Sequence, residues 1–94
     1  MAYGKMIALK FTSHFKKTFN KLVRKNPSCA FDILNALLQF SNDPHNPVLK
    51  THKLSDDKKE LWSFTVQYDM RIIFGYENES TVIIVNIGTH DEVY

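Results

Sequence analysis

Five side chains in this sequence are the candidates for proton transfer and phosphate recognition: His52, Asp69, Arg71, His90 and Tyr94. A histidine titrates near neutral pH, so His52 and His90 can serve as a general base and a general acid. Arg71 offers a planar, permanently charged fork that suits phosphate oxygens and the charge developing on them in phosphoryl transfer. Tyr94 can stack on an unpaired base or donate a hydrogen bond. This is equipment for cleaving RNA without a metal, by attack of a 2′-hydroxyl on the adjacent phosphate. A metal reading would draw on His52, His90 and Asp91, but these form no compact ligand motif. No cofactor is expected.

Each residue also has a plainer reading. His14 and His45 read as surface histidines. Asp69 stands in a tight turn, where aspartate commonly serves the backbone. Trp62, Phe64 and Tyr68 read as core aromatics.

The elements that must hold these groups follow from periodicity. Residues 6–11 alternate, with Ile7, Leu9 and Phe11 on one side, and predict a short strand. Thr12-Ser13 offers a cap, and Phe15, Phe19, Leu22 and Val23 then recur at amphipathic helical spacing with lysines facing outward. Asn26 as cap and Pro27 at the first helical position predict a second helix. Its apolar face, from Ala30, Phe31, Ile33, Leu34, Leu37, Leu38 and Phe40, is broader than that of the first. Residues 41–47 are turn-forming. Residues 48–55 predict a short polar strand, and 56–59 a charged loop. From Leu61, Trp62, Phe64, Val66 and Tyr68 alternate with Ser63, Thr65 and Gln67. Beyond a turn at Tyr68-Asp69, Met70, Ile72, Phe74 and Tyr76 share a face opposite Arg71, Ile73 and Gly75. Residues 82–87 are almost continuously apolar, which predicts a strand covered on both sides. The expected fold is α+β, with two N-terminal helices packed on a mainly antiparallel twisted sheet in the order β-α-α-β-β-β-β. The last three strands form a meander, because their connections are too short for crossovers.

The 94 residues suit one domain, residues 1–94, with no repeat or linker. One cysteine, Cys29, excludes an internal disulfide framework and a Cys-based zinc site. The apolar stretch near the N-terminus is too short for a signal sequence or a membrane span, so a cytoplasmic protein with no membrane partner is expected. The net charge of +2 is unevenly spread. Residues 1–31 hold seven basic side chains and no acid, whereas residues 56–94 hold eight acids against Lys58, Lys59 and Arg71. Such polarity steers a polyanion toward one face, or else marks a solvated helix.

Several segments carry a resemblance that spans nearly the whole chain. They are Phe15 to Leu22, Leu49-Lys50-Thr51-His52-Lys53-Leu54, Leu61 to Phe64 with Tyr68 to Phe74, and Ile87 to Tyr94. The chain resembles the RelE/ParE superfamily of toxins from type II toxin–antitoxin systems, most of all its YafQ and RelE/YoeB branches. That resemblance implies a single RelE-like toxin domain that cleaves mRNA on the ribosome and is neutralised by a cognate antitoxin, through which alone it meets operator DNA. It implies His52 as general base, His90 as general acid, Arg71 as phosphate clamp, and Asp69 and Tyr94 as positioning groups. Lys50 and Lys53 would hold flanking phosphates, and Lys16 and Lys17 on helix one would meet ribosomal RNA. The pattern departs from the YafQ-like one at Thr65, where that branch has a second histidine, and no glutamate base stands near Val48. Proton abstraction therefore rests on His52. Alternatives are a non-catalytic ParE-like toxin that inhibits DNA gyrase, or a degenerate antitoxin-binding module.

Overall fold

A computed structural model describes residues 6–54, 60–67 and 69–93. Strand β1 (Ala8–Phe11) leads into helix α1 (Ser13–Lys25), which is followed by helix α2 (Cys29–Asn42). A 3-10 turn (Pro47–Leu49) precedes strands β2 (His52–Lys53), β3 (Leu61–Val66), β4 (Met70–Asn78) and β5 (Thr81–Thr89), and a single helical turn, α3 (His90–Val93), closes the described chain. The five strands form one sheet in the order β1-β5-β4-β3-β2. Neighbours pair antiparallel except β1, which runs parallel to β5. The α+β class, the two leading helices and the meander match the sequence reading.

Thr12 caps α1 as its position suggests. Its hydroxyl accepts the Phe15 N–H at 3.0 Å and donates to the Val85 carbonyl at 3.3 Å, so the cap also ties the helix to β5. The second helix begins later than its sequence predicts. Asn26 ends α1, its N–H bonded to the Leu22 carbonyl, and its own carbonyl accepts the Cys29 N–H in a tight turn through Pro27. An asparagine before proline can finish one helix as readily as start the next, and here the turn claims both residues.

The core lies between α2 and one face of the sheet. Cys29, Ile33, Ala36, Leu37, Phe40 and Ser41 make the buried stripe of α2. Phe31, Leu34 and Leu38, which also belong to its apolar face, are 76%, 56% and 55% exposed. Apolar residues cover too much of this helix for one sheet to bury them all. Phe40 is the hub: its ring stacks on Phe64 at 4.5 Å and meets Phe74 edge-on at 4.7 Å, all three fully buried. Ser41 is buried because its hydroxyl and carbonyl bond the backbone of Ile7, pinning the chain ahead of β1.

Two strand expectations need correction. Of the expected strand at 48–55, Ser55 lies outside the described residues, and most of 48–54 is not a strand. Pro47 starts the 3-10 turn, Lys50 adopts a left-handed conformation (φ 51°), and only His52 and Lys53 pair with β3. The apolar run of β5 reflects a bulge and not burial on both sides. Ile73 pairs with Asn86 and Phe74 with Ile84, so Val85 is skipped. Val82 and Ile84 face the core before the bulge and Ile87 after it, whereas Ile83 and Val85 are only partly buried. The charged loop at 56–59 and Tyr68 lie outside the described residues.

Candidate active site

The side chains of interest lie on the sheet face opposite α2, and register decides which of them meet. Ile72 is fully buried in the core, which sends Arg71 to the other face, half-buried. Arg71 pairs laterally with Thr65 on one side and Gly88 on the other. Its guanidinium donates back to the Met70 carbonyl at 3.2 Å. One step along the same face, His52, Ser63, Ile73 and Asn86 form the next row across four strands. Two members of that row, Ser63 and Ile73, are almost fully buried although neither belongs to the main core. The face has a tight apolar and hydroxyl floor beneath its polar residues.

His52 is exposed on the edge strand with its ring held from both ends. Nδ1 lies 3.0 Å from the Lys50 carbonyl, which can only accept, so Nδ1 carries the proton. Nε2 is then the acceptor, and it faces the Ser63 hydroxyl at 3.5 Å. The left-handed turn at Lys50 is what presents that carbonyl to a ring two residues later. The ring is thereby oriented with Nε2 only weakly engaged and turned to where a hydroxyl can approach, the geometry a general base needs.

His90 opens α3. Its N–H donates to the Asp69 carbonyl at 3.2 Å, so the tail is tied back to the start of β4. Its ring is more than half exposed, with Nδ1 3.7 Å from the Asp91 carboxylate, an exposed pairing of little energetic weight. Asp69 thus serves the tail through its backbone, and it also borders a cavity of about 300 Å³ with Cys29, Asp32 and Thr89. Strand spacings place the Cα atoms of His52 and Arg71 roughly 12 Å apart, and those of His52 and His90 about 18 Å. Arg71 therefore sits between two histidines that do not touch. Tyr94 lies outside the described residues. Lys53 is paired with Glu60 at 3.1 Å, and Lys50, Lys16 and Lys17 are exposed.

The placement of α3 depends on a motif that the sequence reading passed over. Thr89-His90-Asp91-Glu92 is a capping box: the Thr89 N–H donates to Glu92 Oε1 at 2.7 Å, and the Glu92 N–H returns to Thr89 Oγ1 at 3.4 Å. The turn folds against Gly88, where an added Cβ would come within 2.9 Å of Glu92 Oε1 and 3.1 Å of a Val93 methyl. A side chain there would have to displace the Glu92 carboxylate that closes the capping box. The threonine-to-glutamate spacing was the available signal.

The Thr89 backbone bond holds the Glu92 carboxyl below its ordinary 4.5, helped by the Thr89 hydroxyl and by Lys25, against a small opposing effect of burial. A carboxylate with a depressed folded value stabilises the fold above its unfolded value, and that contribution is lost as pH falls through the folded one. We expect α3 to loosen as the solution is taken below about pH 4.5. Amide exchange at Thr89 and His90 should accelerate in that window while exchange in β4 stays slow, and Glu92→Gln should remove the pH dependence. Identical acid profiles for wild type and Glu92→Gln would refute the assignment.

Among the described residues no three His, Cys, Asp or Glu side chains gather to hold a metal ion. No described helix is long and apolar enough to cross a membrane.

No protein-family model matches the sequence, and comparison with curated proteins finds no match. Solved structures do match. The chain superposes on a DinJ–YafQ toxin–antitoxin complex from Escherichia coli with a TM-score of 0.75 at 18% identity, over 95% of this chain and 98% of the other. A YoeB/ParE toxin from Agrobacterium tumefaciens gives 0.74 at 14% identity, over 89% and 99%. A copper-bound mutant toxin from Helicobacter pylori gives 0.69 at 21% identity, over 95% and 100%. The chain has a RelE/YafQ-like toxin fold.

Proposed function

We propose that this chain, with its RelE/YafQ-like toxin fold, is an mRNA endoribonuclease that acts on the ribosome as the toxin of a type II toxin–antitoxin pair. It works in the cytoplasm, and a cognate antitoxin restrains it and carries any contact with operator DNA. The observation that carries this reading is the ring of His52, whose tautomer is set by the Lys50 carbonyl so that Nε2 is left as an acceptor. A module that only binds has no use for such a base on the same sheet face as an arginine.

In the proposed reaction His52 Nε2 takes the proton of a ribose 2′-hydroxyl, exchanging the distant Ser63 hydroxyl for the substrate's. The 2′-oxygen attacks phosphorus, the bond to the 5′-oxygen breaks, and His90 protonates that leaving oxygen. The products are a 2′,3′-cyclic phosphate and a 5′-hydroxyl. Arg71 stands between the histidines and carries the charge growing on the non-bridging oxygens. The attacking and leaving oxygens lie on opposite sides of phosphorus. Two histidines on opposite sides of Arg71 suit that requirement, each addressing a different oxygen. Lys50 and Lys53 flank the strand, Lys16 and Lys17 face ribosomal RNA, and Asp69 and Tyr94 position the tail and a base.

The test is cleavage of mRNA on programmed ribosomes by purified protein. His52→Gln should lower the rate by about 10²–10⁴-fold with an unchanged circular dichroism spectrum. Equal rates for His52→Gln and wild type would remove His52 from the mechanism. Growth arrest on induction with intact mRNA and a DNA-damage response would instead favour the gyrase-inhibiting reading.

A further inference from the structure

The cations of α1, Lys16 apart, gather on one side of the helix. Lys16 lies on the far flank, whereas His14, Thr18, Lys21 and Lys25 recur at 4-, 3- and 4-residue steps along a stripe that faces the exit of β5, with Lys17 one turn before Lys21 at its border. That stripe, with Arg24, forms one wall of a groove of about 680 Å³ whose other wall is α3. Three permanent cations line it against one carboxylate, Glu92, which is committed to the Thr89 N–H. Leu22 and Val93 add an apolar strip to the lining. His14 is fixed in place by its Nε2–H, which donates to Asn86 Oδ1 at 3.1 Å.

The chemistry of the β5 edge narrows what can occupy this groove. The pairing of β1 ends at Phe11 with Ile84, so β5 continues beyond its neighbour. An exposed edge normally invites another strand. Here the edge donors are already used: the Ile87 N–H bonds Asn86 Oδ1 at 2.8 Å, and the Thr89 N–H bonds Glu92 Oε1 at 2.7 Å. A peptide adding by backbone pairing would have to break both. A phosphate chain needs only the lysines, Arg24 and the Thr18 hydroxyl, and its sugar or base can rest on the apolar strip.

We propose that the groove between α1, β5 and α3 binds the phosphates of single-stranded RNA as a subsite separate from Arg71. The inference rests on the RNA-cleaving reading above and extends the substrate path along the molecule.

The experiment measures binding of a short fluorescein-labelled single-stranded RNA by anisotropy, with the full chain carrying Arg71→Ala to suppress cleavage, across a range of salt concentrations. Adding Lys21→Ala and Arg24→Ala together should weaken binding about tenfold or more at low salt. It should also reduce the slope of log affinity against log salt by about 1.4, the value for two lost phosphate contacts on a single strand. A charge-matched Lys10→Ala/Lys16→Ala pair, on β1 and the far flank of α1, should have a smaller effect at equal net charge. An unchanged slope, or equal losses for the two pairs, would overturn the groove assignment. So would tight binding of an acidic peptide by a protein that ignores RNA. The two proposals fail separately. Groove-dependent binding by a wild type that never cuts RNA leaves the subsite standing without the catalysis, and cleavage by wild type with an unchanged slope leaves the catalysis without the subsite.

Discussion

Arg71→Ala should reduce RNA cleavage by about 10²–10³-fold, the usual cost of removing one preorganised donor from a developing oxyanion. The substitution leaves the core untouched, since the neighbours on the strand, Ile72 and Phe74, face the other way. It removes the bond to the Met70 carbonyl, so a stability loss of about 1 kcal/mol is expected, a shift of roughly 4–8 °C in thermal midpoint. Arg71→Lys restores charge but not the planar fork, and should recover only part of the rate. Rate and stability therefore have to be read together. A variant that loses stability but keeps full cleavage would make Arg71 a structural residue and leave the proposed reaction without its clamp.

Phe40→Ala is the substitution expected to cost most in stability. Its ring is fully buried and touches Phe64 and Phe74, so truncation removes both contacts and opens a cavity that the surrounding strands cannot fill. Phe→Ala changes at such sites cost about 3–5 kcal/mol. A domain of this size is stable by only about 5–15 kcal/mol. Urea unfolding should show the midpoint falling by about a fifth or more, with Phe40→Leu in between. A loss below about 1.5 kcal/mol would show that the helix–sheet contact is not centred on Phe40.

Regular periodicity made most of this fold legible. The cap at Thr12, the stripe of α1 and the alternation of β3 and β4 each follow from local spacing, and Arg71 fell on the polar face because Ile72 could not leave the core. What was lost depended on events that break the period. Val85 breaks it in β5, so an apolar run that reads as burial on both sides is two out-of-step halves of a one-sided strand. The left-handed Lys50 breaks it before β2, and no glycine marked the place. Of the candidate site, the residue types were legible but their neighbours were not. Strand order alone sets His52 on the far side of Arg71 from His90, and strand order is a long-range property. The partnership of His52 with Ser63 came from the same source, since a serine in an alternating strand carries no mark of the ring it will face.

The skipped residue in β5 has one more consequence. Shortening the strand by Val85 would restore an even count between Ile84 and Ile87 and leave each later residue opposite the same partner on β4. Ile87 would still enter the core, and Gly88 would still lie beside Arg71. What would vanish is the local bend and extra twist that a bulge imposes, together with the carbonyl to which Thr12 ties α1. The tail would keep its address and lose its aim. In this small sheet one uncounted residue sets the angle at which the last turn is delivered, so orientation can change by length alone while every chemical group stays the same.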